Sequence, residues 1–310
     1  MRIAMMGSGG IGGYVGVRLA ASGEDVSFIA RGAHLQAMRE RGLRLLSPLG
    51  NVELARVHVT SEPREVGTVD LVVFAVKLYD SDSAAAAILP MVGPQTRVLT
   101  LQNGIDGIDM LSQAVPREQV VGGATYLSSF VEEPGVIRQA SQMTQVLTGG
   151  SNDPVIAEFG TVCSRADGIA LTVVDDIEPI LWQKFVRLAA FSGGTSLMRL
   201  GIGQIMADQE SRIFMEQLLG EGIAVAAAEG HSMPHDFKDE TVDLFLRIAP
   251  ETQASMAHDL AQGKRLELEW LSGRLHTLGV KCGISTPAHT AVYRALHPHA
   301  WGRNDVRAGG

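Results

Sequence analysis

The chain has 310 residues, 45% of them hydrophobic and 19% charged, an ordinary globular balance that excludes a disordered polymer and suits two domains. Its formal net charge of −8 and its lack of Lys/Arg runs exclude nucleic acid as the main partner, leaving room for small anions in a local basic pocket. No secretory signal opens the chain and no apolar run reaches the roughly eighteen residues of a membrane span, so a cytoplasmic protein is expected. Cys163 and Cys282 lie far apart without ligand or redox spacing, so they read as free thiols of a reducing cytosol, with no metal site.

Short apolar runs alternate with helix-like segments through the first half, the pattern of a parallel sheet covered by helices. Strands are predicted at Ile3–Met6, Val26–Ala30, Leu71–Val76, Val98–Leu101 and Val120–Ala124, and helices at Ile11–Ser22, His34–Arg41, Ser81–Leu89 and Ile108–Ala114. Residues 43–60 and 136–149 read as strands in hairpins, with turn chemistry from Gly50-Asn51 and Gly149-Gly150. From about residue 177 the alternation gives way to amphipathic stretches at 177–197, 209–229, 236–247, 266–279 and 288–296. The fold expected is α/β, a Rossmann-type parallel-sheet domain over residues 1–175 followed by an all-α domain over 176–310. The polar, Gly-rich tail 301–310 is expected to be loose.

Gly7, Ser8, Gly9, Gly10, Ile11 and Gly12 form a G-x-G-x-x-G loop between the first predicted strand and a helix, the context a dinucleotide fingerprint requires. One glycine allows a sharp turn, the next lets backbone approach a pyrophosphate, and the third lets helix and strand pack closely. After the second strand, where an NAD enzyme usually carries an acid, stands Arg31; its guanidinium suits a 2′-phosphate, so NADP is expected over NAD. Lys77 and Asn103 follow two further predicted strands, at the carboxyl end of the sheet where ligands of such folds gather.

Lys184 lies in one of the most apolar stretches, on a helical stripe with Ile177, Leu181, Leu188 and Phe191, while Trp182 and Val186 cover the opposite side. Burial would lower its pKa toward that of a general acid near neutral pH; a stem lying on apolar surface with its head in water is the alternative. In a helix over 266–279, Glu267 would share a stripe with Leu271 and Leu278 and face inward, with Glu269 turned the other way beside His276. Ser255 also fits a helix N-cap. His231/His235 and His297/His299 lack the companions of a metal site and read as surface histidines.

These elements, together with Ala75-Val76-Lys77, Leu101-Gln102-Asn103, the run 132–137, Trp182-Gln183-Lys184, the spacing from Ser255 to Glu267, and the run 283–287, resemble the ketopantoate (2-dehydropantoate 2-) reductases from residue 1 to about 296. The resemblance implies NADPH-dependent reduction of a 2-oxo acid to a 2-hydroxy acid, most directly 2-dehydropantoate to pantoate in pantothenate biosynthesis, with substrate between the domains. It implies Lys184 as general acid, Glu267 as substrate-anchoring carboxylate, Asn103 and Ser255 as groups that orient substrate, and Lys77 and Asn103 near the nicotinamide. Four and eight residues beyond the lysine the family usually carries asparagines; here Leu188 and Ser192 stand in those substrate positions, pointing to a less polar or larger 2-oxo acid. Competing readings are another NAD(P)-dependent hydroxy-acid dehydrogenase and a non-catalytic NADP sensor. Apolar surface on a helical second domain would suit a homodimer.

Overall fold

A computed structural model describes residues 1–303. The tail expected to be loose lies outside the described residues from 304 onward; its first residues are held, with Arg265 over the Trp301 ring at 4.2 Å and Arg303 N donating to Gly263 O at 2.9 Å. The chain divides into two compact units, Met1–Glu178 and Pro179 onward.

The first unit runs β1 (Arg2–Met6), α1 (Gly10–Ala21), β2 (Asp25–Ile29), α2 (Gly32–Arg41), β3 (Leu43–Leu46), β4 (Val52–Leu54), β5 (His58–Thr60), β6 (Leu71–Phe74), α3 (Ser81–Ala87), β7 (Arg97–Thr100), α4 (Gly107–Ser112), β8 (Val120–Tyr126), β9 (Ser129–Glu133), β10 (Val136–Gln139), β11 (Gln145–Thr148), α5 (Pro154–Cys163) and β12 (Ala170–Val173). Its main sheet has the order β12-β11-β8-β7-β6-β1-β2-β5, parallel from β5 to β8, with β11 antiparallel to β8. The winding reverses between β1 and β6, which opens a crevice at the carboxyl ends of those strands.

Strand alternation explains why both faces are covered. Ile3, Met5, Val73 and Leu99 pack on one face with Val15 and Leu19 of α1, whereas Ala4, Met6, Val72, Phe74 and Val98 pack on the other with Ala84 and Ile88. Near-continuous Val/Leu/Phe runs in these strands follow from burial on two sides.

Gly50-Asn51 joins β3 and β4 as an antiparallel pair, as the turn chemistry suggests. Gly149-Gly150 does not close a hairpin. β10 instead pairs with β9 through Pro134-Gly135 and with β3 in a second sheet, β4-β3-β10-β9, while β11 joins the main sheet. The double glycine leads into α5, whose N-cap Asp153 accepts from the backbone of Val155 and Ile156 ahead of a first-turn proline. That helix and β12 were not expected from hydrophobic alternation, though Asp153-Pro154 carries their start signal.

The second unit is helical: α6 (Glu178–Met198), α7 (Ile202–Ala207), α8 (Gln209–Ala228), α9 (Phe237–Arg247), α10 (Ser255–Ala261), α11 (Ser272–Cys282) and α12 (Pro287–Leu296). One helix over 266–279 does not form. Residues 268–270 make a single 3-10 turn and Leu271 leaves helical backbone at φ −114°, ψ −102° before α11 starts. Glu267 therefore precedes the helix rather than riding on it. Ser255 is the first residue of α10 and not its cap; Ala254 holds that place, and no side-chain cap bond is made.

Candidate active site

The nucleotide loop is built by close backbone contact. Gly7 has φ +95°, and a Cβ there would meet Val76 N at 2.9 Å. At Gly12 a Cβ would meet Gly7 O at 2.0 Å, and at Gly10 it would meet Ser129 O at 2.1 Å, so neither position admits a side chain. Gly9 differs: a Cβ there would find nothing within 4 Å, which leaves one side of the loop open. Gly9 caps α1 without a side-chain bond, and no acid lies in the first turn. Free N–H groups, an open face and a positive helix end together fit a dinucleotide pyrophosphate.

Two residues lock this loop. Ser8 Oγ donates to Ile29 O at 2.9 Å. His34 receives the Gly135 N–H on Nδ1 at 3.0 Å, so its proton sits on Nε2 and is donated to Ser8 O at 2.9 Å. Burial lowers the His34 pKa, with the Ser8 carbonyl opposing, and the ring is held neutral. The run 132–137 is thereby explained: Pro134 and Gly135, at φ +86°, turn the β9–β10 hairpin so that one backbone N–H reaches His34. Arg31 is exposed at the N-cap of α2, where its carbonyl accepts from Leu35 N at 3.3 Å; among the described residues its side chain makes no hydrogen bond or ion pair, which leaves the guanidinium available to a phosphate.

Lys77 and Asn103 stand at neighbouring strand ends, both half-buried. Gln102 ties those ends together, its Nε2 donating to Val76 O at 3.1 Å and Ser81 Oγ at 2.7 Å.

In the second unit, Trp182 fixes the rotation of α6 by stacking on His231 at 4.7 Å and meeting Phe185 edge-on at 5.7 Å. The most buried face of α6 runs through Trp182, Phe185, Val186, Ala189 and Ala190, while Lys184, Leu188 and Phe191 are half-buried as whole residues. The Lys184 ammonium itself is buried: its pKa is pushed down to about 8 by loss of solvent, against the pull of the Glu267 charge. Its Nζ is itself out of solvent, so the side chain does not snorkel to the surface. Glu267 is 5% exposed. Its loop is pinned by Leu266 N to Ala300 O at 2.9 Å and by Trp270 N to Glu267 O at 3.2 Å. Glu269 points elsewhere, accepting from Tyr293 Oη at 2.9 Å. Thus the inward carboxylate is the expected one, set by a broken turn instead of a helical stripe.

Thr195 of α6 accepts from Ala254 N at 3.3 Å, which fixes the start of α10 and the exposed Ser255 beside it. Ser192 is buried in α6 with its Oγ meeting no acceptor.

Residues 3–152 match the family described as "Ketopantoate reductase PanE/ApbA", and residues 176–300 match "Ketopantoate reductase PanE/ApbA C terminal". The chain belongs to the ketopantoate reductase family. The 2-dehydropantoate 2-reductase of Halobacterium salinarum is 33% identical over 279 residues, covering 88% of this chain and 90% of that protein. A PanE/ApbA family ketopantoate reductase structure from Ralstonia eutropha JMP134 superposes with a TM-score of 0.89 at 30% identity, covering 97% and 98% of the two chains. A D-mandelate dehydrogenase solved with NADH and anilino(oxo)acetate shares the fold, with a TM-score of 0.86 at 22% identity over 97% and 98% of the chains. As a member of the ketopantoate reductase family, the protein is an oxidoreductase of the nicotinamide-dependent, oxo-acid-reducing kind.

Sequence reading passed over His34 and Gln102, because each acts by holding backbone rather than by forming a motif. The histidine, four residues before Met38 in an otherwise ordinary helix, carries no periodic signal at all.

Proposed function

We propose that the protein reduces a 2-oxo acid to the 2-hydroxy acid with NADPH, either 2-dehydropantoate to pantoate in pantothenate biosynthesis or a closely related acid. The observation that carries this reading is Lys184, a buried ammonium whose pKa is drawn to about 8 beside the buried Glu267. When bound, NADPH supplies the hydride that reaches the carbonyl carbon. Lys184 stabilises the charge that develops on the carbonyl oxygen and gives that oxygen a proton. Glu267 anchors substrate and, by its charge, keeps the ammonium protonated. Asn103 and Ser255 orient the substrate, and Lys77 acts near the nicotinamide.

In the same reading, the loop Gly7–Gly12 with Ser8 and Ile11 holds the pyrophosphate, and Arg31 takes the 2′-phosphate. The free Arg31 guanidinium supports NADPH over NADH. Leu188 and Ser192, where family members usually carry amides, set the preference for the acid's side chain: leucine supplies apolar contact and no hydrogen bond. A cytoplasmic homodimer belongs to the same proposal; the thiols of Cys163 and Cys282 are free, and Ile213, Leu246 and Val280 expose apolar surface on the helical unit.

Steady-state kinetics with NADPH and NADH against a panel of 2-oxo acids test this. Arg31→Ala is expected to lower NADPH efficiency by about 10-fold or more while sparing NADH. Leu188→Asn is expected to shift preference toward ketopantoate. An unchanged cofactor ratio would remove Arg31 from the account, and full efficiency of the unmodified protein on ketopantoate would remove the role given to Leu188.

A further inference from the structure

The first unit buries a second cation, far from the nucleotide loop. Arg18, in the last turn of α1, is 4% exposed, and among the described residues no carboxylate pairs with it. Both of its hydrogen bonds leave Nη2, to Ser47 Oγ at 2.8 Å and Gly50 O at 3.2 Å. Its Nε–H is buried with no acceptor at hydrogen-bond distance. A guanidinium stays charged at any pH the protein meets, so burial exacts a desolvation cost that two neutral acceptors offset only in part. Tyr14 meets the guanidinium with its ring, 5.4 Å from Arg18 Cζ, and with its hydroxyl, but it brings no negative charge, since the phenol donates to Gly168 O at 2.6 Å and burial raises its pKa against the opposing pull of Arg18. Carbonyls at the end of α1 supply a partial negative charge only.

Arg18 also lines an open cleft of about 570 Å³ with Gly50, Asn51, Gln142 and Asp167 among its walls. Arg18 and Asp167 are the charged groups lining it. The cleft is preformed: Ser47 Oγ, which accepts from Arg18, donates to Gln139 Oε1 at 2.6 Å, and Asn51 Oδ1 accepts from Ser47 N at 3.0 Å. The β3–β4 turn is thus fixed against α1 with one face of the arginine's surroundings turned to solvent.

We propose that this cleft binds a small oxyanion, a carboxylate or phosphate group whose charge neutralises Arg18 and whose polar remainder meets the amides of Asn51 and Gln142. Gly10 opens α1 and Arg18 lies eight residues on, about 12 Å along the axis at the helical rise, so this site is separate from the pyrophosphate position. Asp167, exposed at the rim, opposes the anion and sets the sign of one test.

Calorimetric titration of the full-length protein with sodium phosphate and with sodium malonate, at constant ionic strength, tests the site. One or both anions are expected to bind, and Arg18→Met is expected to remove one binding site from the stoichiometry while raising Tm in chloride buffer, because an uncompensated charge is gone. Asn51→Asp keeps the acceptor for Ser47 N and puts a carboxylate in the cleft; it is expected to weaken this site about 10-fold or more, and it carries the test alone if the methionine variant does not fold. Asp167→Asn is expected to tighten it about 3-fold. Phosphate alone binding assigns a phosphate ligand and malonate alone assigns a carboxylate. No binding by either anion, or unchanged stoichiometry and affinity in both Arg18→Met and Asn51→Asp, would overturn the proposal.

Discussion

Lys184 and Glu267 are a buried ammonium and a buried carboxylate of one helical unit, and the charge of the acid partly reverses the pKa depression that burial imposes on the lysine. Desolvation is the larger effect. A lysine left in water would hold its proton far too tightly to give it up near neutrality, and one buried without the acid would lose it at a lower pH than this one does. The pair brings the group to about 8, inside the working range of a proton donor.

The pH profile follows from that value. Lys184 donates only while protonated, so kcat/KM for reduction is expected to be flat below about 8 and to fall above it, while the reverse oxidation, which needs the free amine, is expected to rise over the same interval. Profiles in both directions check this. A reduction rate that stayed level to well above that pH would show that another group supplies the proton.

Stability carries the opposite imprint. Because the folded-state pKa lies below the ordinary 10.5, the unfolded chain binds more protons than the folded one between about 8 and 10.5, and this group's contribution to stability rises with pH across that window. Below the window the cost is fully present, roughly 3 kcal/mol at 1.36 kcal/mol per pKa unit. Lys184→Met removes that cost but strands the Glu267 charge. The double change Lys184→Met/Glu267→Gln is therefore expected to be more stable than either single variant by urea melts at neutral pH, and simple additivity of the two would contradict the pairing.

The glycine loop separates a structural from a ligand role at adjacent positions. Gly12→Ala pushes a methyl group into Gly7 O and is expected to lower Tm by several degrees, about 2 kcal/mol or more. Gly9→Ala meets nothing and is expected to leave Tm unchanged while raising the KM for NADPH, since the methyl group enters the space over the loop. Thermal melts with cofactor titrations distinguish the two; an unchanged KM in Gly9→Ala would mean that the open face is not where phosphates sit.

Much of this was legible in the residues. Two-sided burial wrote the parallel strands as apolar runs, and the glycine spacing marked a turn where backbone must pass within contact of backbone. Lys184 stood out because a charge in an apolar helix has few places to go. What stayed hidden depended on tertiary contact. Leu271 breaks a stretch whose spacing reads as continuous helix, so Glu267 reaches the interior by a turn that periodicity does not encode. Gly149-Gly150 looks like a hairpin turn, yet β11 finds β8 and β10 finds β3 and β9, pairings that local turn chemistry does not encode. His34 acts through two backbone groups distant in sequence, Ser8 and Gly135, and no local pattern announces such a bridge.

The most direct test of the central claim is NADPH consumption with a panel of 2-oxo acids that includes ketopantoate, by the unmodified protein and by Lys184→Ala, with NADPH binding measured separately in each. The expected result is turnover of at least one 2-oxo acid, a fall of about 100-fold to 10,000-fold in kcat for the variant, and NADPH binding retained in both. NADPH bound but not consumed with any 2-oxo acid, or equal turnover by the variant, would contradict a reductase that works through Lys184.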